Sequence, residues 1–303
     1  MNKYHIKFHK WIKHYSFQVQ QVLNFKIPKL EKKPNILHKS VRYSSISKGK
    51  RIRAALLYLS GTSFVKYNFN QLLEIYLNNS AASLEVIHTY SLIHDDLPCM
   101  DNDIIRRGKP TVHINFNEYT AILTGNALQF ISFELLLRIP FSFLSIISLY
   151  NIINSCNSNS MLGGQFIDLY NTNKKISIIR LNNMQRMKTG LLLESSINFV
   201  LSILKVNISI IKSLKCFSKS ISLVFQIIDD ILDYTSLTKK TGKTMGKDKI
   251  KKKSTYVSVL GINISQNLAK ELHNISLESI SLIINKNKNK IINLSDFILL
   301  RDH

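Results

Sequence analysis

Acidic residues are scarce in this chain: 19 of 303 are Asp or Glu, against 41 Lys and Arg. Cysteine is scarcer still. Cys99, Cys156 and Cys216 make no close pair and no metal-binding spacing, which argues against a disulfide scaffold or zinc module and points to a reducing, cytoplasmic setting. Five Pro and ten Gly are few for this length and disfavour an all-β fold with its many turns. No uninterrupted apolar run has the length of a bilayer span. The most apolar stretch, residues 135–153, is interrupted by Arg138 and Pro140, so no stable membrane insertion is expected. The N-terminus is basic and carries Phe8 and Trp11, but lacks the apolar centre and small-residue cleavage site of a signal peptide. A transit peptide shares its charge; an amphipathic first helix is the preferred reading.

The formal net charge of +22 invites a nucleic-acid reading. Lys, Asn and Ile crowd the low-information regions, as in Asn285-Lys286-Asn287-Lys288-Asn289-Lys290. Those residues have A/T-rich codons, so a biased genome raises the charge with no binding role. No zinc-finger spacing or aromatic RNA-binding signature accompanies it, and no nucleic-acid partner is expected. A basic surface would still draw in small anions.

The 45% hydrophobic content and the chain length are ample for a large core. Stretches rich in Ile, Leu and Ser carry charges at helical spacing, and the reading is all-α within a single domain, 1–303. Helices are expected over 1–25, 54–60, 72–93, 118–137, 141–170, 177–200, 207–235 and 255–284, with a short one at 294–301. Residues 26–48, with Pro28 and Pro34, read as a loop, and 239–253 as a Lys/Gly loop. Pro98 cannot donate a backbone hydrogen bond, so the helix before it should break there.

Six of the few acids fall in two clusters inside apolar surroundings: Asp95, Asp96 and Asp101, then Asp229, Asp230 and Asp233. Crowded carboxylates repel, and burying them unpaired is costly. Something positive must sit beside them. Carboxylate oxygens suit Mg²⁺, which binds through a few carboxylates plus substrate phosphates. Asp229 and Asp233 share a helix face at i,i+4. Six residues separate Asp95 from Asp101, which a straight helix would not align; a break at Pro98 lets Asp101 fold back. His88 lies two turns before Asp95 on the same face. Four basic segments complement the acids: Lys50 with Arg53, Arg106-Arg107, Lys188-Thr189-Gly190, and Lys243 with Lys253. Arg binds phosphate in bidentate fashion and Lys acts as a point charge. There are enough for two diphosphates, one held through metal and one by direct ion pairs.

These motifs resemble those of the trans-isoprenyl diphosphate synthases. Asp95-Asp96-x4-Asp101 followed by Arg106-Arg107-Gly108-x-Pro110-Thr111-x-His113 looks like that family's first aspartate-rich motif. Phe225-Gln226-x2-Asp229-Asp230-x2-Asp233 looks like its second. Gly49-Lys50-Arg51-x-Arg53, Gly164-Gln165-x2-Asp168, Lys188-Thr189-Gly190 and Gly242-Lys243-x2-Gly246-x-Asp248-x4-Lys253-Ser254-Thr255-Tyr256 match its other signatures, in order. The two-residue expansion at Pro98-Cys99 is similar to bacterial farnesyl diphosphate synthases. Departures include Ala54, Asn102, Asn126 and Val257, none of them at a position assigned to metal or diphosphate.

The resemblance implies a homodimeric, all-α isoprenoid-synthase bundle with a central cavity. It implies Mg²⁺ held by Asp95, Asp101 and Asp229, with Asp96, Asp230 and Asp233 in support. Arg106, Lys188, Thr189, Gln226, Lys243 and Lys253 would bind the allylic diphosphate, dimethylallyl or geranyl. Lys50, Arg53, His88 and Arg107 would hold isopentenyl diphosphate. Tyr90, five residues before Asp95, would floor the tunnel and stop growth at the fifteen-carbon product. The alternatives are a geranylgeranyl or longer-chain synthase, a terpene cyclase, or a non-catalytic synthase subunit. Cyclases need no isopentenyl diphosphate site, so Lys50, Arg53 and His88 argue against the cyclase. The two intact aspartate motifs argue against the non-catalytic subunit.

Overall fold

The computed structural model describes residues 3–47, 49–64, 71–204, 206–235, 253–281, 283 and 288–301. Among them only one two-stranded hairpin interrupts a series of helices, so the all-α expectation holds. The chain divides into two compact units: residues 9–58 with 67–149, and residues 150–303 with 1–8 and 59–66. In chain order the first helices are α1 (Lys3–Lys26), α2 (Asn35–Ser45), α3 (Ile52–Phe64) and α4 (Gln71–Asp95).

The first unit is organised by α4 and α6 (Glu118–Leu137), which pack against each other. The small run Ser80-Ala81-Ala82-Ser83 is fully buried and lets the helices approach closely. At the contact the Ser83 and Ser132 hydroxyls are 2.6 Å apart. Among the described residues α6 alone is long and apolar enough to cross a membrane, but here it packs on α4 and α2.

The loop expected over 26–48 contains helix α2, which corrects that reading. Pro34 takes the cap position ahead of the helix, where its fixed φ is tolerated and its missing N–H costs nothing. Val41 and Ser45, one turn apart, face the core. The two prolines and the lysines mark only the way into this helix. Between α4 and the short α5 (Val112–Asn115), strands β1 (Ile105–Arg106) and β2 (Lys109–Pro110) form the hairpin. Arg107 and Gly108 at its tip both have positive φ (54° and 72°), the signature of a hairpin turn matched to strand twist.

In the second unit α11 (Ile208–Thr235) packs against α10 (Leu191–Leu201), α13 (Ile262–Ser281) and α14 (Lys288–Leu300). Three expected helices are subdivided. The 141–170 helix becomes α7 (Ser142–Cys156) and α8 (Met161–Tyr170), parted where the Asn157 carboxamide accepts from the Asn159 N–H and the Ser160 hydroxyl. The 177–200 helix is α9 (Ile178–Gln185) joined to α10 through a π turn at Arg186–Gly190. The 255–284 helix is α12 (Tyr256–Leu260) and α13, separated by Gly261 at φ 79°. Thr255 and Ser258 form a reciprocal cap on α12. The expected 239–253 loop lies outside the described residues except for Lys253.

Candidate active site

The first aspartate cluster closes as its spacing predicts. α4 ends at Asp95, and the chain turns back so that the Asp101 N–H donates to the Asp95 carbonyl at 2.8 Å. The Asn102 N–H donates to the Leu97 carbonyl at 3.0 Å, with Asn102 itself at φ 47°. Asn tolerates this left-handed conformation better than most residues. Asp95 and Asp101 are half-buried and are joined by this backbone bond.

Asp96 has a different setting. It is buried, and its oxygens accept from Arg106 Nε at 2.9 and 3.2 Å, with a further contact from Nη2. Arg106 Nη2 also pairs with Asp103 at 3.1 Å. Burial pushes the Asp96 carboxyl up, while the guanidinium pulls it down. Burial pulls Arg106 down, but Asp96 and Asp103 hold it above its ordinary range. On balance burial wins at Asp96, whose carboxyl sits above its ordinary range. Asp96 and Arg106, assigned above to separate jobs, are thus engaged with each other, and Asp103 is a partner that the sequence reading did not single out.

A basic cluster adjoins this pair. Arg107 donates to the Ser47 hydroxyl at 2.9 Å. Burial, then the field of Arg51, lowers its pKa to about 10, with Arg106 and Arg53 acting in the same direction and Glu85 opposing. Arg51 is buried against Glu85 at 3.1 Å and caps the carbonyls of Ser45 and Ser47 at 2.5 and 2.9 Å. Its role is to hold the turn that presents Lys50, which is exposed, and Arg53, which is buried. Arg51, Arg53 and Arg106 all act on Arg107 as like charges, and such a concentration of cationic groups is suited to an anion. Tyr43, Ser47, Thr89, Asp96, Arg106 and Arg107 line a cleft here. His88 is half-buried on α4, and Tyr90 is buried.

The second cluster lies on α11 in the other unit. Asp229 and Asp233 are half-buried and one turn apart. Asp230 is buried and serves as an anchor: one oxygen accepts from Gln226 Nε2 at 2.8 Å, the other from the Tyr256 N–H at 2.8 Å. This ties α12 to α11. Asp229 accepts from Arg301 Nη2 at 2.7 Å. Arg301 also donates to the Phe225 carbonyl at 2.6 Å and lies 3.9 Å over the Phe225 ring.

Lys188 and Lys253 converge on Asp168, with Nζ to Oδ2 distances of 2.5 and 3.4 Å. Burial raises the Asp168 carboxyl, but the two ammonium groups outweigh it and hold it below its usual range. A Cβ on Gly164 would meet the Lys188 backbone N at 2.2 Å, so only glycine lets α8 approach the π turn this closely. Thr189 is half-buried in that turn. Lys243 lies outside the described residues. Like Asp103, Asp168 and Arg301 have no role assigned from the sequence. Asp168 sat inside a quoted motif; Arg301 has no local signal, because its partner is 72 residues away.

Among the described residues no three His, Cys, Asp or Glu side chains gather into a metal cage. Mg²⁺ takes one or two carboxylates and completes its shell with water and phosphate oxygens. Asp95 and Asp101 in one unit, and Asp229 in the other, are each half-buried carboxylates, hard donors by their chemistry.

The polyprenyl synthetase family model matches residues 34–287. A farnesyl diphosphate synthase of Micrococcus luteus is 40% identical over 233 residues, covering 77% of this chain and 78% of that protein. A chloroplastic geranylgeranyl pyrophosphate synthase of Capsicum annuum is 34% identical over 279 residues, covering 90% and 73%. The solved structure of a Helicobacter pylori geranyltransferase, complexed with magnesium and isoprenyl diphosphate, is 29% identical and superposes with a TM-score of 0.80, covering 95% and 96%. The chain therefore belongs to the polyprenyl synthetase family and is a prenyl diphosphate synthase, a prenyltransferase.

Proposed function

We propose that this enzyme condenses isopentenyl diphosphate with dimethylallyl and then geranyl diphosphate, and stops at (2E,6E)-farnesyl diphosphate. The observation that carries the reading is Tyr90, a large aromatic buried five residues before Asp95, about 7–8 Å along α4. An allylic diphosphate pinned at Asp95 and Asp101 sends its tail down that helix, and the ring limits how far it goes. The Capsicum annuum relative keeps geranylgeranyl diphosphate as the second reading.

Mg²⁺ at Asp95, Asp101 and Asp229 would supply Lewis-acid stabilisation of the leaving diphosphate. The chain's own groups do the rest. Lys188 and Lys253, steadied by Asp168, share the charge that develops as the allylic C–O bond breaks, with Lys243, Thr189, Gln226 and Arg106 alongside. Lys50, Arg53, His88 and Arg107 hold isopentenyl diphosphate, so that its double bond attacks the allylic cation. The released diphosphate takes up the proton lost in forming the new double bond. Apolar helix faces exclude the water that would quench the cation.

We further read the chain as a single synthase domain that acts as a cytoplasmic homodimer. Ile122, Leu123, Phe130 and Leu137 on α6, and Phe143 and Ile146 on α7, are exposed, apolar side chains of the kind a second copy would cover. The test is to incubate the purified enzyme with Mg²⁺, labelled isopentenyl diphosphate and each allylic primer, then size the products. A fifteen-carbon end product is expected. A dominant product of twenty carbons or more would overturn the chain-length reading.

A further inference from the structure

Tyr90 does not hold its position alone. His94 follows it by one turn of α4, and the two rings meet edge to face, with centroids 5.2 Å apart at 82°. On its other side the His94 imidazole lies against α6. Its Nε2 is 3.2 Å from the Ile122 carbonyl, and because a carbonyl can only accept, that nitrogen carries the proton. The ring fits there because position 125 has no side chain. A Cβ on Gly125 would lie 2.1 Å from His94 Nε2, 2.5 Å from Cδ2 and 2.9 Å from Cε1. All three are ring atoms at the far end of a half-buried side chain, so the ring would yield by more than an ångström before the backbone did. Gly125 has no φ that demands glycine and lies in the interior of α6, where glycine is intrinsically unfavourable. Its presence is explained by the imidazole seated on it.

We infer that His94 and Gly125 are positioning residues that hold the Tyr90 ring across the path of the growing chain and so set product length. The inference rests on the reading of Tyr90 as the tunnel floor. An edge-to-face aromatic contact is worth enough to change a two-way product ratio about two- to tenfold when it is lost. With the imidazole displaced, the Tyr90 ring loses its edge-on support, and a larger share of chains passes it.

The test compares Gly125→Ala, His94→Ala, Tyr90→Ala and the Tyr90→Ala/His94→Ala double variant. Each is incubated with Mg²⁺, labelled isopentenyl diphosphate and geranyl diphosphate, and the ratio of twenty- to fifteen-carbon product is measured. Gly125→Ala and His94→Ala should each raise the ratio about two- to tenfold. Tyr90→Ala should raise it at least as much, and the double variant no further. A purely structural role for His94 would lower melting temperature and turnover but leave the ratio alone. If Tyr90→Ala lengthens the product while both single support variants give the wild-type ratio, the support is refuted and the floor stands. If the two alanine effects multiply in the double variant, His94 acts independently of Tyr90 and the inference is also refuted. If Tyr90→Ala itself changes nothing, the floor reading fails and the inference fails with it.

Discussion

Replacing Asp168 by Asn tests how the second unit organises its lysines. The carboxylate is buried and accepts from Lys188 and Lys253 at 2.5 and 3.4 Å. The substitution keeps the shape but removes the negative charge, leaving two ammonium groups to repel one another. Breaking a buried ion pair costs about 3–5 kcal/mol, and the partial exposure of Lys188 places this case near the lower end, at about 3 kcal/mol. At about 2 °C per kcal/mol for a chain of this size, the melting temperature should fall by about 6 °C at pH 7. The pH dependence follows from the direction of the shift. The folded-state pKa of Asp168 is depressed, so its contribution is fully present above the unfolded value of about 3.9 and disappears as pH falls through the folded value. Melting curves of both proteins should therefore lie about 6 °C apart at neutral pH and converge below about pH 3.9. The variant should also lose turnover with allylic substrate, because Lys188 is no longer steadied. Equal melting temperatures at pH 7, or a gap that persists unchanged into acid, would refute the argument.

Asp95→Ala and Asp229→Ala should each reduce turnover by several orders of magnitude, since each removes a proposed metal donor; near-normal rates in a steady-state assay would sink that assignment. Asn102→Ala should spare the chemistry but cost about 1–2 kcal/mol in a denaturant melt, because Ala adopts the left-handed φ of 47° less readily than Asn. Arg53→Ala and His88→Ala should raise the KM for isopentenyl diphosphate about ten- to a hundredfold, the value of a lost charge-assisted contact. An equal rise for the allylic substrate would refute the division into two diphosphate sites.

The sequence by itself determined the fold class, most helix positions and the family. Both aspartate clusters, the basic segments and the break at Pro98 are local patterns, written in residue type and spacing, and α6 has the bounds that its periodicity predicts. The fold-back that brings Asp101 to Asp95 was legible for the same reason: a proline and a six-residue gap admit few paths. The misreadings were local too, but ambiguous. Pro34 and its lysines look the same whether they belong to a linker or begin a helix, and only the burial of Val41 and Ser45 distinguishes the two. Tertiary structure alone decided who partners whom. Asp96 and Asp230 are carboxylates like their neighbours in the sequence, yet they are occupied by Arg106 and by Gln226 with the Tyr256 backbone, as the solitary Asp168 is by Lys188 with Lys253. Asp95, Asp101 and Asp233 remain half-exposed on the same turns, and Asp229 is shared with Arg301. The cause is the helical repeat: adjacent carboxylates point about 100° apart, so one of each pair turns toward the core and the other toward the open side. Gly125 and Gly164 teach the same lesson, because what a missing side chain makes room for lies on another segment of the chain.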